Sequence, residues 1–304
     1  MELLKEMKIL LDAVRKHAID LVAKGGNNEL AIIVNENLQN PLQVTVLFPF
    51  VSGKSLGINT SELIEIASCV LLSDMALRIA DDCADKDNPY ALYKRIGVGR
   101  SMNLVLLLTT ISSNRFSANN ELRKGYHSSL INVCIGQEYD MTKLPADLDE
   151  YTEIVSLKTI AAYRYAFLSG ALSHTNDENT IDTLTQCGEH LGWMAQILDD
   201  IETLWKPLYN KEKLNTFTFP ILYGLQLTHP KAITLRTLIQ NPTPNSYEIY
   251  TVLDEMNLRN ESMHIALDHR DQALQLLKDN FPKEGANMLK IILDWLFRDA
   301  QLLL

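Results

Sequence analysis

A chain of 304 residues that is 46% apolar and 22% charged carries enough hydrophobic material for a sizeable core. Its 38 acidic residues outnumber 28 basic ones, giving a net charge of −10. That excludes a nucleic-acid groove, which needs a basic surface, and requires any anionic substrate to be met locally by metal ions or a few placed cations.

The start, MELLKEMKILLDAVRKH, has charges throughout and reads as an amphipathic helix rather than a signal peptide. Leu3, Leu4, Met7, Leu10, Leu11, Val14 and Ile19 recur at helical steps, and Gly25-Gly26 stop that helix. A short helix is expected over 29–38, ended near Pro41. The stretch 42–50 alternates like a strand, but Pro49 and Gly53 favour a helix-to-helix connection. Asn59 or Thr60 can cap a long helix over 61–84, with Glu62 and Glu65 in its first turns. After a turn at Pro89, helices are expected over 100–112, 120–142, 149–173, 178–205, 218–227, 230–240, 246–280 and from 283 to the end.

No strand pair, repeat or long linker divides the chain, so the fold class expected is all-α, in a single domain over 1–304. The longest apolar runs, such as 104–108, fall far short of a membrane span. Cys69, Cys83, Cys134 and Cys187 lie far apart without CxxC spacing, as in the reduced core of a cytoplasmic protein.

Two stretches carry the chemistry. LRIADDCADKD delivers Asp81, Asp82, Asp85 and Asp87 after an apolar run. On a helix Asp81, Asp82 and Asp85 share one face, where like charges repel unless a cation joins them. Hard oxygens in this pattern suit Mg²⁺ held together with substrate phosphates; the alternative is a solvated helix end. GWMAQILDDIETLWKP then places Gln196, Asp199, Asp200 and Thr203 in one polar stripe on an apolar helix, with Trp193 one turn before. Such a stripe is costly unless it lines a cavity filled by water or ligand. Two carboxylate helices of this kind could face each other across a bundle core, with metal between them to grip a diphosphate.

In an all-α chain of this length, DDCADKD and QILDDIET together resemble the trans-isoprenyl diphosphate synthase family. GQEYD (Gly136, Gln137, Asp140), Lys158-Thr159, and Lys211 and Lys213 before Thr218-Phe219-Pro220 follow in the family's order. The resemblance implies an isoprenoid-synthase-type helical bundle around a deep central cavity. It implies Mg²⁺, three ions with the bound diphosphate, on Asp81, Asp82 and Asp85 from one wall and Asp199, Asp200 and Thr203 from the other. Lys158 and one of Lys211 and Lys213 would meet the diphosphate of a prenyl substrate, with Gln137 and Gln196 nearby. Trp193, and less so Tyr163, Tyr165 and Phe167, would face a carbocation. Ala76 and Leu77, being small for their place before Asp81, would leave room for a fifteen- to twenty-carbon chain or longer. Asp87 and Asp140 read equally as ligands or as capping groups. The family also implies a homodimer, and an apolar helix such as that over 102–111 could supply the interface.

The departures are informative. Elongating members carry an adjacent arginine pair soon after the first aspartates; here the stretch is DKDNPYALYKRIGVGRS, where Arg95 and Arg100 either substitute or are simply exposed. Gly53-Lys54 is a faint echo of a second diphosphate-binding segment. Thr203 stands where elongating enzymes carry Asp and matches the opening of a class I terpene cyclase metal motif, whose closing Glu would fall at Pro207. The expectation is therefore a terpene synthase that ionises one prenyl diphosphate. The alternatives are a prenyltransferase, elongating with isopentenyl diphosphate or modifying a peptide, and a non-catalytic subunit of a heteromeric synthase.

Overall fold

The computed structural model describes residues 2–25, 28–38, 44–86, 88–205, 217–241 and 246–300. All regular structure among them is helical. The first part holds α1 (Glu2–Lys24), α2 (Asn28–Asn37), a 3₁₀ turn (Val44–Leu47), α3 (Phe48–Ser55), α4 (Thr60–Asp85), α5 (Leu92–Ile96) and α6 (Val98–Phe116). Then come α7 (Asn120–Thr142), α8 (Leu148–Val155), a π-helical turn (Ser156–Ile160), α9 (Ala161–Leu172) and α10 (Glu178–Trp205). The chain closes with α11 (Phe219–Gln226), α12 (Pro230–Ile239), α13 (Ser246–Glu255), α14 (Leu258–Asn280) and α15 (Lys283–Ala300). None of these helices is long and apolar enough to cross a membrane.

The helices fall into two compact units, one of residues 1–130, 163–188 and 274–304, the other of 131–162 and 189–273. Neither unit is continuous in sequence, which is why composition shows no boundary.

In the first unit α4 is the central element. Asn59 caps it, its side chain accepting from Ser61 N–H at 3.0 Å. Leu63, Ala67, Leu71 and Leu72 are wholly buried along it. Burying each such leucine is worth about 1.5–3 kcal/mol. Two buried serines fix its neighbours: Ser68 donates to Val14 O on α1 at 3.1 Å, and Ser112 on α6 donates to Cys69 O at 2.9 Å. In the second unit Leu204, Ile221, Leu235, Ile249, Leu253 and Leu258 form one core.

Four expectations are corrected. The stretch expected as a helix-to-helix connection instead runs through the 3₁₀ turn into α3, because Pro49 at the helix start needs no N–H partner there. α5, a single short turn of helix, was not foreseen. The helix expected over 149–173 is interrupted by the π turn. The helix expected over 246–280 is two, broken at Asn257, which takes a left-handed conformation (φ 54°) that asparagine tolerates better than most residues.

Candidate active site

The first aspartates occupy the last turns of α4, which Lys86 ends in the left-handed region (φ 60°) with its N–H on Asp82 O. Asp81 and Asp82 are half-buried and Asp85 is exposed. The unpaired carbonyls of a helix end add partial negative charge, and the last turn of α4 holds no basic residue, so a cation is favoured there. Asn88 Nδ2 donates to Asp82 Oδ1 at 2.9 Å and steadies that carboxylate. Asp87 lies outside the described residues.

Leu77, one turn before Asp81, is half-buried on the same side. Ala76 is only 1% exposed. Five residues before Asp81 place it about 140° round the helix, so it faces the packed interior rather than the aspartates. The stripe through Asp81 and Asp85 runs instead through Asp74 and Arg78, an ion pair at 3.3 Å that sequence reading passed over. Burial pushes the Asp74 carboxyl up to about 6 despite the guanidinium.

In the second unit, α7 and the π turn meet backbone to backbone. A Cβ added at Gly136 would lie 2.3 Å from Lys158 N, so only glycine allows this approach. The π turn presents two neighbours differently: Lys158 Nζ contacts Asp140 Oδ2 at 2.5 Å, and the Thr159 hydroxyl donates to Gln196 Oε1 at 2.6 Å. Gln196 Nε2 donates to Asp200 Oδ1 at 3.0 Å. Asp200 Oδ2 accepts from the Tyr151 hydroxyl and from Phe219 N–H, both at 2.6 Å. Burial raises the Asp200 carboxyl to about 6, while the Phe219 and Tyr151 hydrogen bonds pull the other way. Asp199 and Thr203 are exposed on the adjacent edge of α10.

Gln137 Nε2 is buried and has no hydrogen-bond partner among the described residues, a donor available to an anion. Trp193 stacks on His269, ring centroids 6.2 Å apart, and His269 Nδ1 lies 2.9 Å from His190 Nδ1.

Other expected residues are occupied elsewhere. Tyr165 and Phe167 are buried in the first unit, the former against Phe116 and Tyr126, the latter against Phe48, so they are core. Lys54 hydrogen-bonds Thr60 Oγ1 at 2.8 Å beside a crevice that Glu6 and Glu284 line, a setting that suits no diphosphate. Lys211 and Lys213 lie outside the described residues.

The hard carboxylates at the negative end of α4 fit Mg²⁺. Among the described residues no three His, Cys, Asp or Glu side chains converge as a preformed cage. Mg²⁺ ordinarily uses one or two carboxylates and completes its shell with water and substrate phosphates.

The chain is 26% identical over 157 residues to a prenyl transferase of Cyanophora paradoxa, spanning 49% of this chain and 48% of that one. It is 29% identical over 192 residues to the tryptophan prenyltransferase ComQ of Bacillus subtilis, spanning 62% of each. These matches thus cover less than two thirds of either relative. The fold superposes on a decaprenyl diphosphate synthase from Rhodobacter capsulatus with a TM-score of 0.81 at 15% identity, over 97% of both chains. The polyprenyl synthetase model matches residues 42–256, and the chain belongs to that family.

Proposed function

We propose that this chain is a Mg²⁺-dependent prenyltransferase that ionises a linear allylic diphosphate and passes the prenyl group to a peptide side chain, with a tryptophan indole as the candidate acceptor. The observation that carries it concerns the second diphosphate site. Arg95 pairs with Glu36 at 3.0 Å and Arg100 with Glu29 at 2.5 Å, both glutamates on α2. The adjacent arginine pair of elongating members is missing, and the two arginines nearest in sequence sit against glutamates in exposed pairs, so a second diphosphate would have to draw them away. The similarity to ComQ favours transfer over the terpene synthase expected from sequence.

Asp81, Asp82 and Asp85 would be metal ligands of the first aspartate stretch, and Asp199 and Thr203 those of the second. Bound Mg²⁺ neutralises the charge that develops on the departing diphosphate. Lys158, once turned from Asp140, and Gln137 Nε2 meet the diphosphate oxygens; Lys211 and Lys213 are candidates for the same task. The allylic C–O bond breaks with its electron pair leaving on diphosphate. An indole carbon then forms the new C–C bond and loses its proton.

The whole chain acts as one isoprenoid synthase domain in this reading. It is cytoplasmic, in keeping with four free cysteines. It is a homodimer through the exposed stripe of Val98, Met102 and Leu106 on α6.

Purified protein is incubated with Mg²⁺ and geranyl, farnesyl or geranylgeranyl diphosphate alone, with isopentenyl diphosphate, and with a tryptophan-containing peptide. Prenylated peptide is the expected product. A hydrocarbon from the allylic substrate alone makes it a terpene synthase, and a lengthened diphosphate makes it an elongating enzyme. Asp82→Ala should abolish turnover with the fold intact.

A further inference from the structure

We infer that Asp200 is a positioning residue and not a metal ligand, although it adjoins Asp199 in the aspartate pair. An ionised carboxylate offers about four acceptor sites. Three protein donors already sit on this one: Tyr151 and Phe219 on Oδ2, Gln196 on Oδ1. The group is 7% exposed and its partner Tyr151 5%, whereas Asp199 on the same helix is exposed. A metal ion would have to displace short hydrogen bonds at a buried oxygen when the exposed carboxylate of Asp199 is one residue away.

What Asp200 does instead follows from its partners. It fixes the Gln196 amide, whose Nε2 it holds, so that Oε1 faces the Thr159 hydroxyl. Thr159 belongs to the π turn that carries Lys158. Through Phe219 N–H it also satisfies the start of α11, where Thr218 supplies no side-chain cap. One carboxylate thus ties α8, α10, α11 and the π turn together within the second unit. The pair Asp199-Asp200 is divided in labour, one residue turned outward to the ligand and its neighbour turned inward to hold the residues around it. Buried networks of this kind act as a unit, so removing any member has much the same effect as removing another.

The inference rests on the proposed diphosphate chemistry only for what is being positioned, and binding measurements test it without turnover. Mn²⁺ binding in the presence of inorganic pyrophosphate is measured for the wild type, Asp199→Asn, Asp200→Asn, Tyr151→Phe and the Asp200→Asn/Tyr151→Phe double variant. Pyrophosphate affinity is measured on the same proteins. Asp199→Asn should weaken Mn²⁺ binding by about tenfold or more. Asp200→Asn and Tyr151→Phe should each lower pyrophosphate affinity by a similar factor, with the double variant no worse than either.

The inference is overturned if Asp200→Asn weakens Mn²⁺ binding as much as Asp199→Asn while Tyr151→Phe behaves as wild type, the pattern of a direct ligand. If Asp200→Asn does not fold, Tyr151→Phe decides alone, and a wild-type pyrophosphate affinity in it overturns the assignment. A wild type that binds pyrophosphate in this pattern but turns over no prenyl diphosphate removes the functional reading and leaves the inference standing.

Discussion

Gly136 and Lys158 approach so closely that a Cβ at position 136 would lie 2.3 Å from the Lys158 nitrogen and 2.7 Å from its Cα. Backbone cannot rotate aside as a side chain can, so Gly136→Ala must push α7 off the π turn. Overpacking of this sort costs about 1–3 kcal/mol. The variant should lose that much in denaturant unfolding. It should also lose turnover out of proportion to its folded fraction, since both Lys158 and Thr159 ride on the displaced turn.

Gln137 offers the opposite case. Its Nε2 is a buried donor without a partner among the described residues, so Gln137→Ala removes an unsatisfied donor and no hydrogen bond of that nitrogen. Stability should change by no more than about 0.5 kcal/mol. Affinity for the allylic diphosphate should fall by about 1.5–3 kcal/mol, the worth of a hydrogen bond to a charged group, read as a raised KM or a weakened pyrophosphate Kd. An unchanged affinity would remove Gln137 from the site.

His190 and His269 bear on pH. Burial lowers both below the ordinary imidazole value, and His190 lowers His269 further, while Glu189 and Asp268 act in the raising direction. A folded-state value below the unfolded one means that the unfolded chain takes up protons first as pH falls through about 6.5. Their stabilising contribution is therefore full above that pH and declines below it, when charging would set two cations at the 2.9 Å Nδ1 contact. Denaturant unfolding between about pH 7.5 and 5.5 should show a loss that His269→Gln flattens. An unaltered slope in the variant would assign the loss to other groups.

Arg95 and Arg100 are expected to be quiet. Each makes an exposed ion pair, of the kind worth about 0–1 kcal/mol. Arg95→Ala and Arg100→Ala should leave KM and kcat for the allylic substrate within about twofold of wild type. A large rise in KM for isopentenyl diphosphate in either would restore chain elongation.

The helices that carry the site were legible because their signals are local. α7 and α10 have the bounds expected from periodicity alone, and Asn59 caps α4 as its side chain and the acidic first turn suggest. The π turn was not legible, since one additional residue in a turn barely disturbs an apolar pattern between 149 and 173. Gly136 was the available signal, but its meaning depends on Lys158, twenty-two residues away. Asp200 was read with Asp199 because they are adjacent. What separates them is Tyr151, forty-nine residues upstream, a contact that no spacing rule contains. Ala76 and Leu77 were read as a pair for the same reason, and helix geometry turns them to different sides.

The π turn at Ser156–Ile160 also has a genetic consequence. A helix can absorb the loss of one residue there by reverting to ordinary α spacing, so a single-codon deletion would keep the helix and leave the residues beyond it in nearly the same phase, whereas the same deletion within α9 would turn them by about 100°. With the deletion in the π turn, Tyr163, Tyr165 and Phe167 would keep the places they now fill beside Phe48, Phe116 and Tyr126. The loss would fall on the π turn alone, whose extra residue is what presents Lys158 to Asp140 and Thr159 to Gln196.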